Sequence, residues 1–179
     1  MERLKLATVW FGGCSGCHMS FLDLDEFLIT LAGRVAFVYG PLVDSKEYPE
    51  SVDVVLVEGA ICNEEHVTLA RQIRRKTRLV VSLGDCAVTT NVTGMRNPLG
   101  GPEVILSRAF VELADVHAGL PDAPGLLPTL LDRAVPVHEV IRVDHFLPGC
   151  PPPAPHIRAL LEHLLDGGPP LAEPQLKFG

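Results

Sequence analysis

An open parallel α/β sheet with helices on both faces is the fold class that the sequence predicts, and three observations predict it. Compact β-branched runs recur along the chain, at Arg34 to Tyr39, Asp53 to Val57 and Arg78 to Leu83. Continuous apolar runs of this kind suit strands covered on both faces of a parallel sheet. Stretches of helical periodicity alternate with them, and Gly, Pro and Asn punctuate the joins.

Taken in order, Leu4 to Trp10 reads as the first strand and ends in Phe11-Gly12-Gly13, a strand running into a loop. Ser20 is a candidate N-cap with Asp23 three residues on. Phe21, Leu24, Phe27, Leu28 and Leu31 then recur at helical spacing up to Gly33. Arg34 to Tyr39 and Asp53 to Val57 are the second and third strands, and Gly40 to Ser51 between them shows no clear helix. Asn63 caps a helix that carries Glu64 and Glu65 in its first turn and Arg71, Arg74, Arg75 and Lys76 in its last, signs that match the helix dipole. Arg78 to Leu83 is the fourth strand. From Ala87 to Pro102 no periodicity appears, and a helix is expected from about Glu103 to Ala114. Gly119 to Pro136 reads as loop, and Val137 to Val143 as a fifth strand. A rigid turn, Pro148 to Pro153, leads to a closing amphipathic helix marked by Ile157, Leu160, Leu161, Leu164 and Leu165. Five strands alternating with helices point to the flavodoxin-like version of the doubly wound sheet.

The 179 residues suit one domain, placed at 1–166, with a Pro/Gly-rich tail at 167–179 expected to be extended and partly pinned by a partner. A net charge of -7 without any basic block argues against nucleic acid as a partner. Mean hydropathy is high at +0.25, yet Glu58, Asp85, Gly and Pro break the apolar runs, so no membrane span is expected. The start, Met1-Glu2-Arg3-Leu4-Lys5, lacks the pattern of a signal peptide, and the expected location is cytoplasmic. Apolar excess without a span implies either a large face covered by another subunit or a well-filled core.

Five cysteines, an odd number with no export signal, fit a disulfide framework poorly and turn attention to metal or redox chemistry. Cys14, Cys86 and Cys150 each follow an expected strand, so in a parallel sheet their loops emerge at the same carboxyl edge, where such folds place ligands. Cys14-Ser15-Gly16-Cys17 contributes a second thiol from the first loop. Four thiolates are what a 4Fe-4S cubane requires, one per iron. Structural zinc satisfies the same count but usually takes two local pairs rather than one pair and two distant singles. Pro151 after Cys150 also favours the cluster. A zinc scaffold and a flavin-binding module on the same sheet edge remain the alternatives.

Four stretches, Trp10 to Cys17, Val57 to Ile61, Gly84 to Ala87 and Pro148 to Pro152, resemble the small subunit of nickel–iron hydrogenases, in particular the short subunit of cytoplasmic NAD-reducing (bidirectional) enzymes. The resemblance spans nearly the whole chain. It implies a flavodoxin-like domain holding the cluster proximal to a nickel–iron site, with the four ligands falling on Cys14, Cys17, Cys86 and Cys150. The nickel–iron site then belongs to a separate large subunit. NAD, flavin and further clusters belong to diaphorase subunits. The cluster subunit of complex I-like quinone or ferredoxin oxidoreductases is similar at Gly149-Cys150-Pro151-Pro152, but it carries adjacent paired cysteines where this chain has Cys-x-x-Cys. Export-type small subunits add a leader and a region with two more clusters, neither of which is found here, so one cluster is expected.

Of the remaining candidates, Cys62 reads as a buried spectator thiol rather than a fifth ligand. Glu58, ending an apolar strand, reads as a paired structural carboxylate rather than a proton relay. His18 is open between a hydrogen bond to a cluster sulfur and a surface or subunit contact. Asp85, Thr89 and Asn91 are candidates for hydrogen bonds within the cluster loops. His66, His117, His138, His145, His156 and His163 show no ligand spacing. With no nucleophile set, the chain is expected to move electrons while hydrogen chemistry occurs on its partner.

Overall fold

The computed structural model describes residues 3–166, so the expected tail at 167–179 lies outside the described residues. In chain order the elements are β1 (Leu4–Trp10), α1 (Gly16–Leu22), α2 (Phe27–Arg34), β2 (Val35–Tyr39), β3 (Val52–Glu58), β4 (Ile61–Asn63) and α3 (Glu64–Lys76). There follow β5 (Thr77–Leu83), α4 (Asp85–Thr89), α5 (Asn91–Gly94), α6 (Pro102–Ser107), β6 (Leu130–Val135), β7 (His145–Leu147) and α7 (Ala154–Asp166). Strands β2-β1-β3-β5-β7 form one sheet in that order, and every pairing in it is parallel. Counting only these five strands, the order is 2-1-3-4-5, the flavodoxin-like arrangement that the sequence predicts.

Period-two alternation divides the core between the sheet's two faces. Leu6, Val54, Leu56, Val81 and Leu83 turn to one face, where Phe21, Leu31, Ile157 and Leu161 from α1, α2 and α7 cover them. Val9, Val55, Val57 and Val80 turn to the other and meet Ala70 and Ile73 of α3 with Val137 and Ile141. The cap of α3 is as expected, with Asn63 accepting a 2.8 Å bond from the His66 N–H. Among the described residues no helix is long and apolar enough to cross a membrane.

Four elements depart from expectation. The single helix starting at Ser20 is two helices, because Asp25 takes a left-handed φ of 49° between them. Ser20 is no cap: it is buried within α1, and its hydroxyl donates to the Pro152 carbonyl. The expected fifth strand at Val137 to Val143 is absent. Val137 and Ile141, four residues apart, enter the core together from a 3-10 turn at Val137–Glu139, and the strand begins only at His145. The 119–136 stretch contains β6, which pairs antiparallel with the unexpected β4. The 103–114 helix is shorter than expected, with α6 passing into a π-helical turn at Arg108–Glu112.

A candidate cluster site of four thiols

Each cysteine loop is held by backbone hydrogen bonds before its sulfur is considered. After β1 the chain runs antiparallel to the end of β3, with Phe11 N–H on Glu58 O at 2.9 Å, Gly12 N–H on Ala60 O at 3.0 Å and Ala60 N–H on Gly12 O at 2.7 Å. Ser15, at φ 66°, then turns the chain into α1, so Cys14 stands just ahead of the helix and Cys17 in its first turn. The β5 and β7 loops are zipped together. Gly84 N–H donates to Leu147 O and Asp85 N–H to Gly149 O, while the Asp85 carboxylate accepts the Gly149 N–H at 2.6 Å. This last bond ties Cys86 to Cys150 through the two residues beside them, Asp85 and Gly149.

The three loops converge as the topology requires. Cys17 and Cys86 are buried, whereas Cys14 and Cys150 are exposed. Burial pushes the Cys17 thiol strongly up, and the nearby Glu58, Cys86, Cys14 and Cys150 push it further. Cys86 is raised by burial and then by Cys14 and Cys150, against a Val92 backbone N–H that bonds to it and lowers it. Cys17 and Cys86 therefore each lie close to the other three cysteines of the set. Held as thiolates they repel, so the arrangement calls for a cationic centre. Among the described residues no three His, Cys, Asp or Glu side chains form a single-ion site. Four thiols at one sheet edge supply the number that a cubane would take, one thiolate at each of four irons.

Gly84 shows how closely the cradle is drawn. Its φ is 82°, and a Cβ there would sit 2.1 Å from the Cys17 sulfur, so only glycine fits between the two loops. Glu58 is 1% exposed and paired as expected, accepting the His18 N–H at 2.9 Å and contacting His18 Nδ1. His18 is thus a buried residue and not a surface contact. Its Nε2 has no hydrogen-bond partner, and its ring stacks on Trp10 at 5.8 Å. That pairing escaped the sequence reading, although a carboxylate closing an apolar strand was the available signal. Cys62 stands apart. Its thiol, raised by burial, feels Arg96 and none of the other cysteines, and it donates weakly to Ala60 O at 3.4 Å. Asn91 donates to the Cys150 sulfur at 3.3 Å, and the Thr89 hydroxyl donates to Asp85 O at 3.0 Å.

A family profile described as NADH ubiquinone oxidoreductase, 20 Kd subunit, matches residues 14–164. The chain belongs to this family. Within the 20 Kd subunit family it stands among hydrogenase subunits. It is 35% identical over 171 residues to the NAD-reducing hydrogenase HoxS subunit delta of Cupriavidus necator, covering 93% of this chain and 81% of that one. It is also 35% identical over 173 residues to a subunit of the F420-non-reducing hydrogenase of Methanothermobacter marburgensis. The alignment takes in 93% of this chain but 54% of that protein, so the chain spans about half the length of such relatives. A crystal structure of an NAD+-reducing NiFe-hydrogenase in the H2-reduced state superposes with a TM-score of 0.92 at 39% identity, covering 99% of this chain and 100% of that one. The resemblance to NAD-reducing hydrogenase small subunits is borne out.

Proposed function

We propose that this chain is the electron-transfer small subunit of a cytoplasmic nickel–iron hydrogenase, holding one 4Fe-4S cluster through Cys14, Cys17, Cys86 and Cys150. The cluster supplies reversible one-electron storage. The observation that carries the proposal is the convergence of the three cysteine loops at one sheet edge, where the Asp85–Gly149 bond and the close approach of Gly84 to the Cys17 sulfur draw them together. The chain's own task is mechanical and electrostatic. Cys17 and Cys86 anchor the inner side and exclude water from it, while Cys14 and Cys150 face outward, where a redox partner approaches. The Asp85–Gly149 bond and the glycine at 84 fix the spacing of the loops.

On this reading a large subunit bears the nickel–iron site. Diaphorase subunits with flavin and further clusters pass the electrons to NAD. The near-complete likeness to a chain of an NAD+-reducing NiFe-hydrogenase supports that assignment over a complex I-like one. The test is hydrogen-dependent reduction of NAD by the assembled complex, compared with the isolated chain. Activity in the complex alone is expected, and turnover by the isolated chain would overturn the assignment.

A further inference from the structure

The stretch that follows Cys86 carries a donor aimed at the thiol set. Thr90 and Asn91 take consecutive left-handed conformations, φ 71° and 38°, which a β-branched residue such as Thr90 adopts only when its surroundings hold it there. The result is that the Asn91 carboxamide donates to the Cys150 sulfur at 3.3 Å. The turn after Cys86 therefore reaches an exposed thiol on a different loop.

The turn is fastened from behind. Asn97 makes a two-sided pair with the Ala134 backbone, accepting its N–H at 2.8 Å and donating to its carbonyl at 2.9 Å. Arg96 spreads its guanidinium over the carbonyls of Cys62, Leu131 and Asp132. These bonds moor α5 to the β4–β6 ribbon. Gly94 completes the fastening: a Cβ there would fall 2.1 Å from the Thr90 hydroxyl, and the Thr93 hydroxyl donates to Thr90 O. So much anchoring for a four-residue helix serves to place what stands at its start.

We propose that Asn91 is a positioning residue for electron transfer, its carboxamide N–H raising the reduction potential of the cluster by bonding to the Cys150 sulfur. This rests on the four-cysteine cluster reading above. An N–H dipole pointing at a ligating sulfur stabilises the extra negative charge of the reduced state more than the oxidised one, so its loss lowers the potential.

The experiment uses the anaerobically purified complex, unaltered and with Asn91→Leu, Asn91→Asp or Gly94→Ala in this chain. Each is measured for iron and sulfide content, for midpoint potential by paramagnetic resonance of the reduced state, and for iron–thiolate stretching by resonance Raman. Asn91→Leu, similar in size but without a donor, is expected to keep the cluster, lower the potential and raise the stretching frequency. Asn91→Asp, which places a charge beside the sulfur, lowers the potential further. Gly94→Ala, which pushes on Thr90 without touching Asn91, shifts it in the same direction. An unchanged potential in cluster-bearing Asn91→Leu or Asn91→Asp overturns the inference. Loss of the cluster in both also overturns it, because it would make Asn91 a requirement for retention rather than for tuning. An unaltered complex without an iron–sulfur cluster on this chain instead removes the cluster reading itself, and the inference with it.

Discussion

The five cysteines divide into roles at the scale of the single residue. On the proposed reading Cys14, Cys17, Cys86 and Cys150 are the four cluster ligands, so replacing any one by Ala removes a corner ligand, and iron content and the reduced-state paramagnetic signal should collapse. Cys62→Ala deletes a half-buried thiol whose side chain makes a weak bond to Ala60 O. A stability loss of about 1 kcal/mol with the cluster intact is expected. Loss of the signal in Cys62→Ala, with one of the other four variants unaffected, would reverse the assignment. Glu58 presents a different hazard. Its carboxylate satisfies two buried His18 groups, so Glu58→Leu strands both donors at roughly 1–3 kcal/mol each, and Glu58→Gln should cost less. Urea unfolding of the two variants checks this, and equal stability in Leu and wild type would contradict it.

Within single elements, the loops after β5 and β7 work as a joined pair. Gly84→Ala drives a methyl group onto the Cys17 sulfur at a left-handed position, so iron content should fall together with thermal stability; a stable variant with full iron content would show that the cradle is looser than described. At the other end of β7, Asp144 sets where the strand starts. It accepts the Val80 N–H at 2.9 Å and an Arg74 N–H at 2.6 Å. Burial works against its charge, but the Arg74 bond, the Val80 N–H and the charges of Arg74 and Arg142 outweigh it and hold the carboxyl below the ordinary carboxylate range. The folded value lies below the unfolded one, so this stabilisation is complete above about pH 4 and is lost as pH falls through the folded value. The gap in unfolding free energy between wild type and Asp144→Asn should therefore narrow on acidification, and a gap independent of pH would contradict the pairing.

These elements also show what the sequence could and could not reveal. β1, β3, β5 and the Asn63 cap were legible because apolar runs and capping chemistry are local. The fifth strand was misplaced because Val137 and Ile141 are apolar for a helical turn against α3, and a short apolar run does not declare its period. β4 and β6 went unseen, since three- and six-residue ribbons that pair across the 64–129 interval leave little local pattern. At the site, the cysteines were readable from strand-end placement and Asn91 as a loop donor, whereas its partner Cys150 and the His18–Glu58 pair depend on separations of 59 and 40 residues in sequence.

At the scale of the whole molecule, the apolar excess is only partly accounted for by the core. Trp10, Met19 and Leu22 around the first cysteine loop stay exposed, as do Val92, Met95 and Leu99 beyond Asn91. Their exposure suits a surface completed by neighbouring subunits. The central claim is that this edge holds one cubane. The most direct measurement is iron, sulfide and zinc analysis of the anaerobically purified complex with its other cluster subunits removed, alongside the paramagnetic spectrum after reduction. About four irons and four sulfides per chain with a reduced-state signal are predicted. One zinc per chain with no iron, and no signal on reduction, would contradict the account.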